Sequence, residues 1–191
     1  MKKLLKYGLV IGVVILLLFA YGYRYYQLNQ KFPKAVKISC EMGDSLSYRG
    51  GLVTINQWKL ATPADIREIY PEFMTDKDPV NAPAPEDQLK ILLVTVTVTN
   101  ESNEDIVVPL YTASAVSGTW SNGIDQFLFQ SINSPDASLS CQVATGESQI
   151  VILPYKIASS MMLHNDWIDV GNLPYEVILE TYPQKIIFNL Q

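Results

Sequence analysis

The stretch Lys90–Thr99, KILLVTVTVT, constrains the fold of this chain more than any other. Successive side chains of an extended backbone point to opposite faces. Leu92, Val94, Val96 and Val98 therefore share one face, and Thr95, Thr97 and Thr99 share the other. One apolar and one polar face predict a half-buried antiparallel strand, since a parallel strand covered on both sides reads as a continuous apolar run. Such a strand needs a second layer against its apolar face.

The same period of two recurs. Ala35–Cys40 is a short candidate strand, and in Leu52–Leu60 Val53 and Ile55 alternate with Thr54 and Asn56. Ile106–Leu110 follows the polar turn Asn100–Asp105, which predicts a hairpin with Lys90–Thr99. Ala113–Trp120 and Gln126–Ile132 flank Ser121-Asn122-Gly123, where Asn-Gly favours a tight hairpin turn. Glu147–Tyr155, Tyr175–Thr181 and Lys185–Leu190 complete the set, with Pro183 separating the last two and a helical turn within Ser159–Trp167. One short helix interrupts at 63–70. Thr62 supplies a cap, Pro63 the first helical position and Asp65 an acid suited to the positive end of the helix dipole. Ile66 with Ile69 or Tyr70 gives its apolar stripe, and Pro71 ends it. Pro71–Asp87 reads as an irregular, acidic loop rich in proline. Short strands joined by turns, without βαβ alternation, predict a mostly β chain folded as an antiparallel β-sandwich with one short helix inserted.

The N-terminus is different. Lys2, Lys3 and Lys6 precede an uncharged run from Tyr7 to Tyr23, YGLVIGVVILLLFAYGY, closed by Arg24. A membrane span needs about 20 mostly apolar residues. Leu4 and Leu5 extend the run, because Lys6 reaches back to the interface with its ammonium group. Tyr21, Tyr23, Tyr25 and Tyr26 stand where an aromatic belt belongs, and the lysines favour a cytoplasmic N-terminus. A cleaved signal peptide is the competing reading, with Ala20-Tyr21-Gly22 as a poor cleavage site after a long apolar core. The expected organisation is a signal-anchor over residues 1–24 that contacts the membrane through residues 4–23. A juxtamembrane stalk over 25–34 and an extracytoplasmic domain over 35–191 follow.

Residues 1–31 hold five basic residues and no acid. The remainder carries nine Lys/Arg against nineteen Asp/Glu, a net charge of −10 where the whole chain has −5. An acidic surface repels phosphate backbones, which argues against a nucleic-acid partner. Cys40 and Cys141 are the two cysteines. Outside the cytoplasm a pair can oxidise, and two buried thiols acting as small hydrophobes is the other reading. With a single histidine they cannot make a four-ligand structural zinc site without carboxylates.

Catalytic signals are sparse. His164, in SSMMLHNDW, has Ser160 at helical spacing and Asp166 nearby, but no G-x-S-x-G elbow or oxyanion-hole signature accompanies it. No catalytic residue and no cofactor is implied. Asp76-Lys77-Asp78 begins like a calcium loop, yet Pro79, Val80 and Asn81 replace the alternating ligands and the turn glycine. Asp76, Asp78, Glu86 and Asp87 are the candidate metal residues, against a bland reading as a solvated loop. Glu101, Glu104 and Asp105 form a second acidic cluster. For binding, Trp120–Asn133, WSNGIDQFLFQSIN, presents aromatics beside polar turn residues. Aromatics on an exposed hairpin make contact hot spots, so Trp120, Asn122 and Asp125 are the candidate binding residues. Alternation would instead put Phe127 and Phe129 together in the core, with Gln126, Leu128 and Gln130 outside.

The strand Lys90–Thr99, the turn Asn100-Glu101-Ser102-Asn103 and the apolar strand ending at Pro109 resemble the centre of the telokin-like, immunoglobulin-fold domains on the surface of Gram-positive bacteria. Gly146-Glu147-Ser148 entering a strand, and the terminal strand pair, fit the same plan. The resemblance spans residues 45–190. It implies an immunoglobulin-like sandwich, following an N-terminal anchor and a stalk, with the 63–70 helix and the acidic proline loop as an insertion. It transfers no catalytic or ligand residue. The expected function is a membrane-anchored, non-catalytic binding module for an unknown protein or envelope component. A calcium- or small-ligand-binding accessory protein is the alternative, and a hydrolase is least supported.

Overall fold

The computed structural model describes residues 2–75, 85–134 and 136–191. They divide into two compact units, Met1–Val36 and Lys37–Gln191.

The first unit is helix α1, Lys2–Lys31. Its span Val10–Lys31 has a mean hydropathy of 1.3 and is long and apolar enough to cross a membrane, or to serve as a signal sequence. The helix runs on through residues 25–31, so the stretch expected as a stalk is mostly helical.

The second unit is a β-sandwich. Its strands are β1 (Val36–Glu41), β2 (Ser45–Tyr48), β3 (Gly51–Ala61), β4 (Leu89–Thr99), β5 (Ile106–Pro109) and β6 (Ser114–Ser117), then β7 (Trp120–Gly123), β8 (Ser140–Val143), β9 (Ser148–Ala158), β10 (Glu176–Glu180) and β11 (Gln184–Asn189). One sheet has the order β2-β3-β4-β9 and the other β1-β11-β10-β6-β7, with β5-β8 as a separate ribbon. The centre of the first sheet is β4, paired along its whole length with β9 from Leu89↔Ala158 to Thr99↔Ser148, and with β3 across a bulge between Ile55 and Gln57.

Leu92, Val94, Val96 and Val98 face inward and are fully or almost fully buried, as the alternation predicts. They meet Val151, Leu153 and Tyr155 of β9 and Val177 and Phe188 of the opposing sheet in one core cluster. At its centre the Tyr175 ring lies 5.5 Å from Trp58 and 6.1 Å, edge-on, from Trp120. The other face of β4 corrects the expectation of a half-buried strand. Ile91 and Leu93 share the threonine face and are also buried, in a second cluster with Ile66, Phe73, Met74 and Leu128. The insertion after β3 covers this end of the sheet. It opens with helix α2, Pro63–Arg67, whose cap is as predicted. The Thr62 side chain accepts from the Asp65 amide, while the Asp65 carboxylate accepts from the Thr62 amide. Ile66 is the helix's buried anchor, whereas Ile69 is exposed.

Four further expectations change. Gln126–Ile132 is not a strand but helix α3. Asp125 caps it by accepting from the Leu128 amide at 2.9 Å, and helical spacing buries the adjacent Leu128 and Phe129 while Phe127 is half exposed. The Asn122-Gly123 step is not a turn, because it lies within β7, paired with Ala115 and Ser114; the β6–β7 turn is Gly118-Thr119, where Gly118 has φ +56°. Strand β5 pairs with β8 rather than with β4, so the Asn100–Asp105 turn carries the chain out of the sheet. Helix α4 (His164–Ile168) and a 3-10 turn at Ser159–Met161 replace the single helical turn expected between 159 and 167. Among the described residues three short α-helices thus decorate the sandwich, where one was expected.

Candidate functional site

A cleft of about 530 Å³ lies where three chain reversals of the sandwich converge. They are the β2–β3 turn, the β5–β6 loop and the β10–β11 turn. The β2–β3 turn is a two-residue connection, with Tyr48 paired to Gly51. Both central residues, Arg49 (φ +52°) and Gly50 (φ +90°), adopt positive φ, the conformation whose twist suits a tight hairpin. A long side chain at positive φ is uncommon, and here it has partners that hold it. The Arg49 guanidinium lies 5.7 Å from the centre of the Tyr48 ring and pairs with Glu180 at the end of β10. Glu180 falls where the β10–β11 register shifts past Ile178.

The β5–β6 loop is held at both ends. Leu110 donates to the Leu139 carbonyl at 2.7 Å and Ala113 donates back to Leu110 at 2.9 Å. The Thr112 hydroxyl donates to the Leu179 carbonyl at 3.1 Å. Tyr111 is thereby presented to solvent at 60% exposure, and Tyr182 across the cleft at 46%. A second cavity of about 260 Å³ shares Tyr111 and continues to Gln126 and Gln130 of α3 and to Ser138 and Ser140.

The residues expected to bind at the 120–133 segment each have a structural partner or a place in the core. Trp120 is 2% exposed and belongs to the core. Asn122 donates to the Lys156 carbonyl at 2.9 Å. Asp125 caps α3 and pairs with Lys156 at 2.7 Å. With Asn133, which exchanges both hydrogen bonds with the Ile152 backbone, these groups cover the edge of β9. An open edge strand invites pairing with another chain, so the polar residues of this segment seal the sheet.

Of the candidate metal residues, Asp76 and Asp78 lie outside the described residues. Glu86 and Asp87 sit on the 3-10 turn Glu86–Gln88, and Glu86 pairs with Arg67 of α2. Asp105, in the second acidic cluster, accepts from the Thr145 amide at 3.0 Å. Among the described residues no three of His, Cys, Asp and Glu gather as a metal site. His164 is exposed at the start of α4, outside the helical turn that holds Ser160. Cys40 and Cys141 are free thiols in different sheets rather than a disulfide. Cys141 is buried, donates to Gln149 Oε1 at 2.9 Å, and is pushed up to about 11 by that burial.

The family model for a domain of unknown function, DUF5028, matches residues 24–186. The chain belongs to the DUF5028 family. No curated protein matches it. Three solved structures are similar in fold. An uncharacterized beta-sandwich protein from Clostridium difficile is 10% identical, with a TM-score of 0.46 over 83% of this chain and 98% of its own. A conserved hypothetical protein from Bacillus anthracis is 12% identical, with a TM-score of 0.47 over 79% and 94%. A functionally unknown protein from Listeria monocytogenes is 14% identical, with a TM-score of 0.44 over 70% and 67%.

In this DUF5028 domain the cleft residues escaped the sequence reading because their positions, 48–49, 111 and 180–182, are distant along the chain. A local signal did exist at one of them. Arg49-Gly50-Gly51 is a turn sequence just ahead of the alternating run Leu52–Leu60, and it marks the β2–β3 hairpin.

Proposed function

We propose that this DUF5028 protein is a membrane-anchored, extracytoplasmic binding module with an immunoglobulin-like fold and no catalytic centre. The observation that carries this reading is the cleft walled by Tyr48, Arg49, Tyr111, Glu180 and Tyr182, set at one end of the sandwich by three chain reversals. Its volume falls in the range of about 300–1,000 Å³ usual for ligand sites. Exposed aromatics and an arginine are the residue types that dominate contact energy. Glu180, its one carboxylate, is engaged by Arg49, which favours holding a ligand over turning it over.

The immunoglobulin-like reading is supported by strand order. The runs β3-β4-β9 and β11-β10-β6-β7 correspond to strands A-B-E and G-F-C-C′ of that fold. Tyr175, at the start of the F-like strand, donates its hydroxyl to the Val170 carbonyl five residues upstream at 2.7 Å, the hydrogen bond of a tyrosine corner. The anchor reading is supported by α1, with Lys2, Lys3 and Lys6 at the end that the positive-inside rule keeps in the cytoplasm. An ectodomain of net charge −10 makes a nucleic-acid partner unfavourable.

The test is site-specific photo-crosslinking in the intact, membrane-bound protein. A benzophenone side chain replacing Tyr111 is expected to yield a discrete adduct, while the same group at Ile150, an exposed β9 residue, is not. Equal yields at both positions would overturn the reading.

A further inference from the structure

We propose that the two cavities flanking Tyr111 form one groove for a neutral oligosaccharide. This deepens the binding-module reading and rests on it. Charge is the first constraint on the ligand. The domain carries a net −10, yet among the described residues the only charged side chains lining either cavity are Arg49 and Glu180, and they neutralise each other in an ion pair. An anionic ligand finds no uncompensated cation here, and a cationic ligand finds no uncompensated anion. The groove suits an uncharged ligand.

Polar groups in the smaller cavity narrow the class. Gln126 and Gln130 stand one turn apart on α3, so their side chains share a face. Ser138 and Ser140 line the same cavity. Amides and hydroxyls both donate and accept, which matches the hydroxyl groups of a sugar, each also donor and acceptor. In the larger cavity the Arg49–Glu180 pair adds a fixed donor fork beside a fixed acceptor, suited to neighbouring hydroxyls on one ring.

Aromatic placement supplies the other half of saccharide recognition. A pyranose presents an apolar C–H face as well as a hydroxyl edge, and a tyrosine ring offers a large, rigid apolar surface for that face. Tyr111 is 60% exposed and Tyr182 46%. Tyr111 lies on the boundary shared by the two cavities. A chain of sugar units therefore passes over Tyr111 with one unit on either side. Strand addition, one mode of peptide binding, needs an open strand edge. The nearby edge of β9 is already covered by Asn122, Asp125 and Asn133.

Saturation-transfer NMR tests this on the full chain in lipid nanodiscs, which avoids sugar-headed detergents. The probes are chitotetraose, cellotetraose and maltotetraose, with a capped proline-rich decapeptide as the second arm. At least one neutral tetrasaccharide is expected to receive saturation, strongest on its ring C–H protons. The double variant Tyr111→Ala/Tyr182→Ala is expected to reduce it at least five-fold, with Phe127→Ala, an exposed ring elsewhere, leaving it unchanged. Retained thermal unfolding of the double variant guards against misfolding. Three silent sugars overturn the saccharide assignment. If the decapeptide then binds through the same tyrosines, or the Tyr111 crosslink persists, the binding-module reading survives alone. Sugar binding unaffected by the double variant overturns the site.

Discussion

Asn100, at the end of β4, donates through Nδ2 to the carbonyl of Val143 in β8 at 2.9 Å, joining two strands that are 43 residues apart and in different sheets. Its second amide hydrogen reaches the Glu104 carbonyl at 2.8 Å, and its Oδ1 accepts from the Ser102 amide and hydroxyl. The Asn100 backbone closes the other side, donating to Glu147 and accepting from Gly146. Asn100 is 1% exposed and fully partnered. The side chain therefore fixes the corner at which the chain leaves one sheet and returns.

Replacing Asn100 removes the side-chain donor from the buried Val143 carbonyl, while the Glu104 carbonyl, in an exposed turn, keeps the Ser102 hydroxyl. An unsatisfied buried polar group costs about 1–3 kcal/mol. Asn100→Ala is expected to lower stability by about that amount, and Asn100→Asp by more, because it turns an oxygen toward the carbonyls of Val143 and Glu104. Urea denaturation of the two variants, read at constant m-value, checks the order. Equal stability of wild type and Asn100→Asp would contradict it.

Gly51 offers a steric test of the same region. A Cβ added there would lie 2.9 Å from Ile106 Cδ1 and 3.0 Å from Val108 Cγ2, so the β5 side chains packed over Gly51 must shift to admit a methyl group. Overpacking of this kind costs about 1–3 kcal/mol. Gly51→Ala is expected to destabilise, and adding Ile106→Val, which deletes the nearer methyl, is expected to restore part of the loss. Absence of coupling between the two substitutions in a double-mutant cycle counts against the close approach.

What the sequence disclosed follows from the range of each cause. Thr62-Pro63-Ala64-Asp65 is a local cap, and Leu92–Val98 a local alternation, and both appear as read. Ile91 and Leu93 looked like members of a polar face. Their cover comes from Phe73, Met74 and Leu128, which no window around β4 contains. In 120–132 two local signals competed. The Asp125 cap outweighed the alternation of Gln126–Gln130, because a helix there buries Leu128 and Phe129 against two different clusters at once. The Tyr48–Tyr111–Tyr182 cleft is wholly non-local, and the cysteine pair lacked the partner geometry that only a fold supplies.

The α2 cap carries a pH signature. Hydrogen bonds from the Thr62 hydroxyl, and then from its amide, hold the Asp65 carboxyl below its ordinary value of 3.8. A carboxyl lowered in the folded state contributes stability that is present above the unfolded value and is lost as pH falls through the folded one. Asp65→Asn is thus expected to melt below wild type at pH 7. The gap should narrow once pH drops under 3.8, as thermal scans across pH 2–7 would register. A gap that stays constant with pH would assign the cap's effect to shape rather than charge.

The two thiols give the last prediction. Burial raises Cys141 to about 11, and raises Cys40 as well, where Asp44 and Glu41 add to it. The thiolate is the reactive form, so both are expected to react slowly with a disulfide reagent in the native protein at pH 8. In denaturant without reductant, two thiols per chain should appear, whereas a Cys40–Cys141 bridge would give none. Cys141 also sets an alkaline limit. A thiol whose folded value lies above its unfolded 9.0 contributes stability that is complete below that pH and is lost as pH rises through about 11. Cys141→Ala loses the Gln149 contact at every pH but has no thiol to ionise. Its deficit relative to wild type is therefore expected to shrink between pH 9 and 11, and a deficit that grows over that window would contradict the buried, neutral thiol.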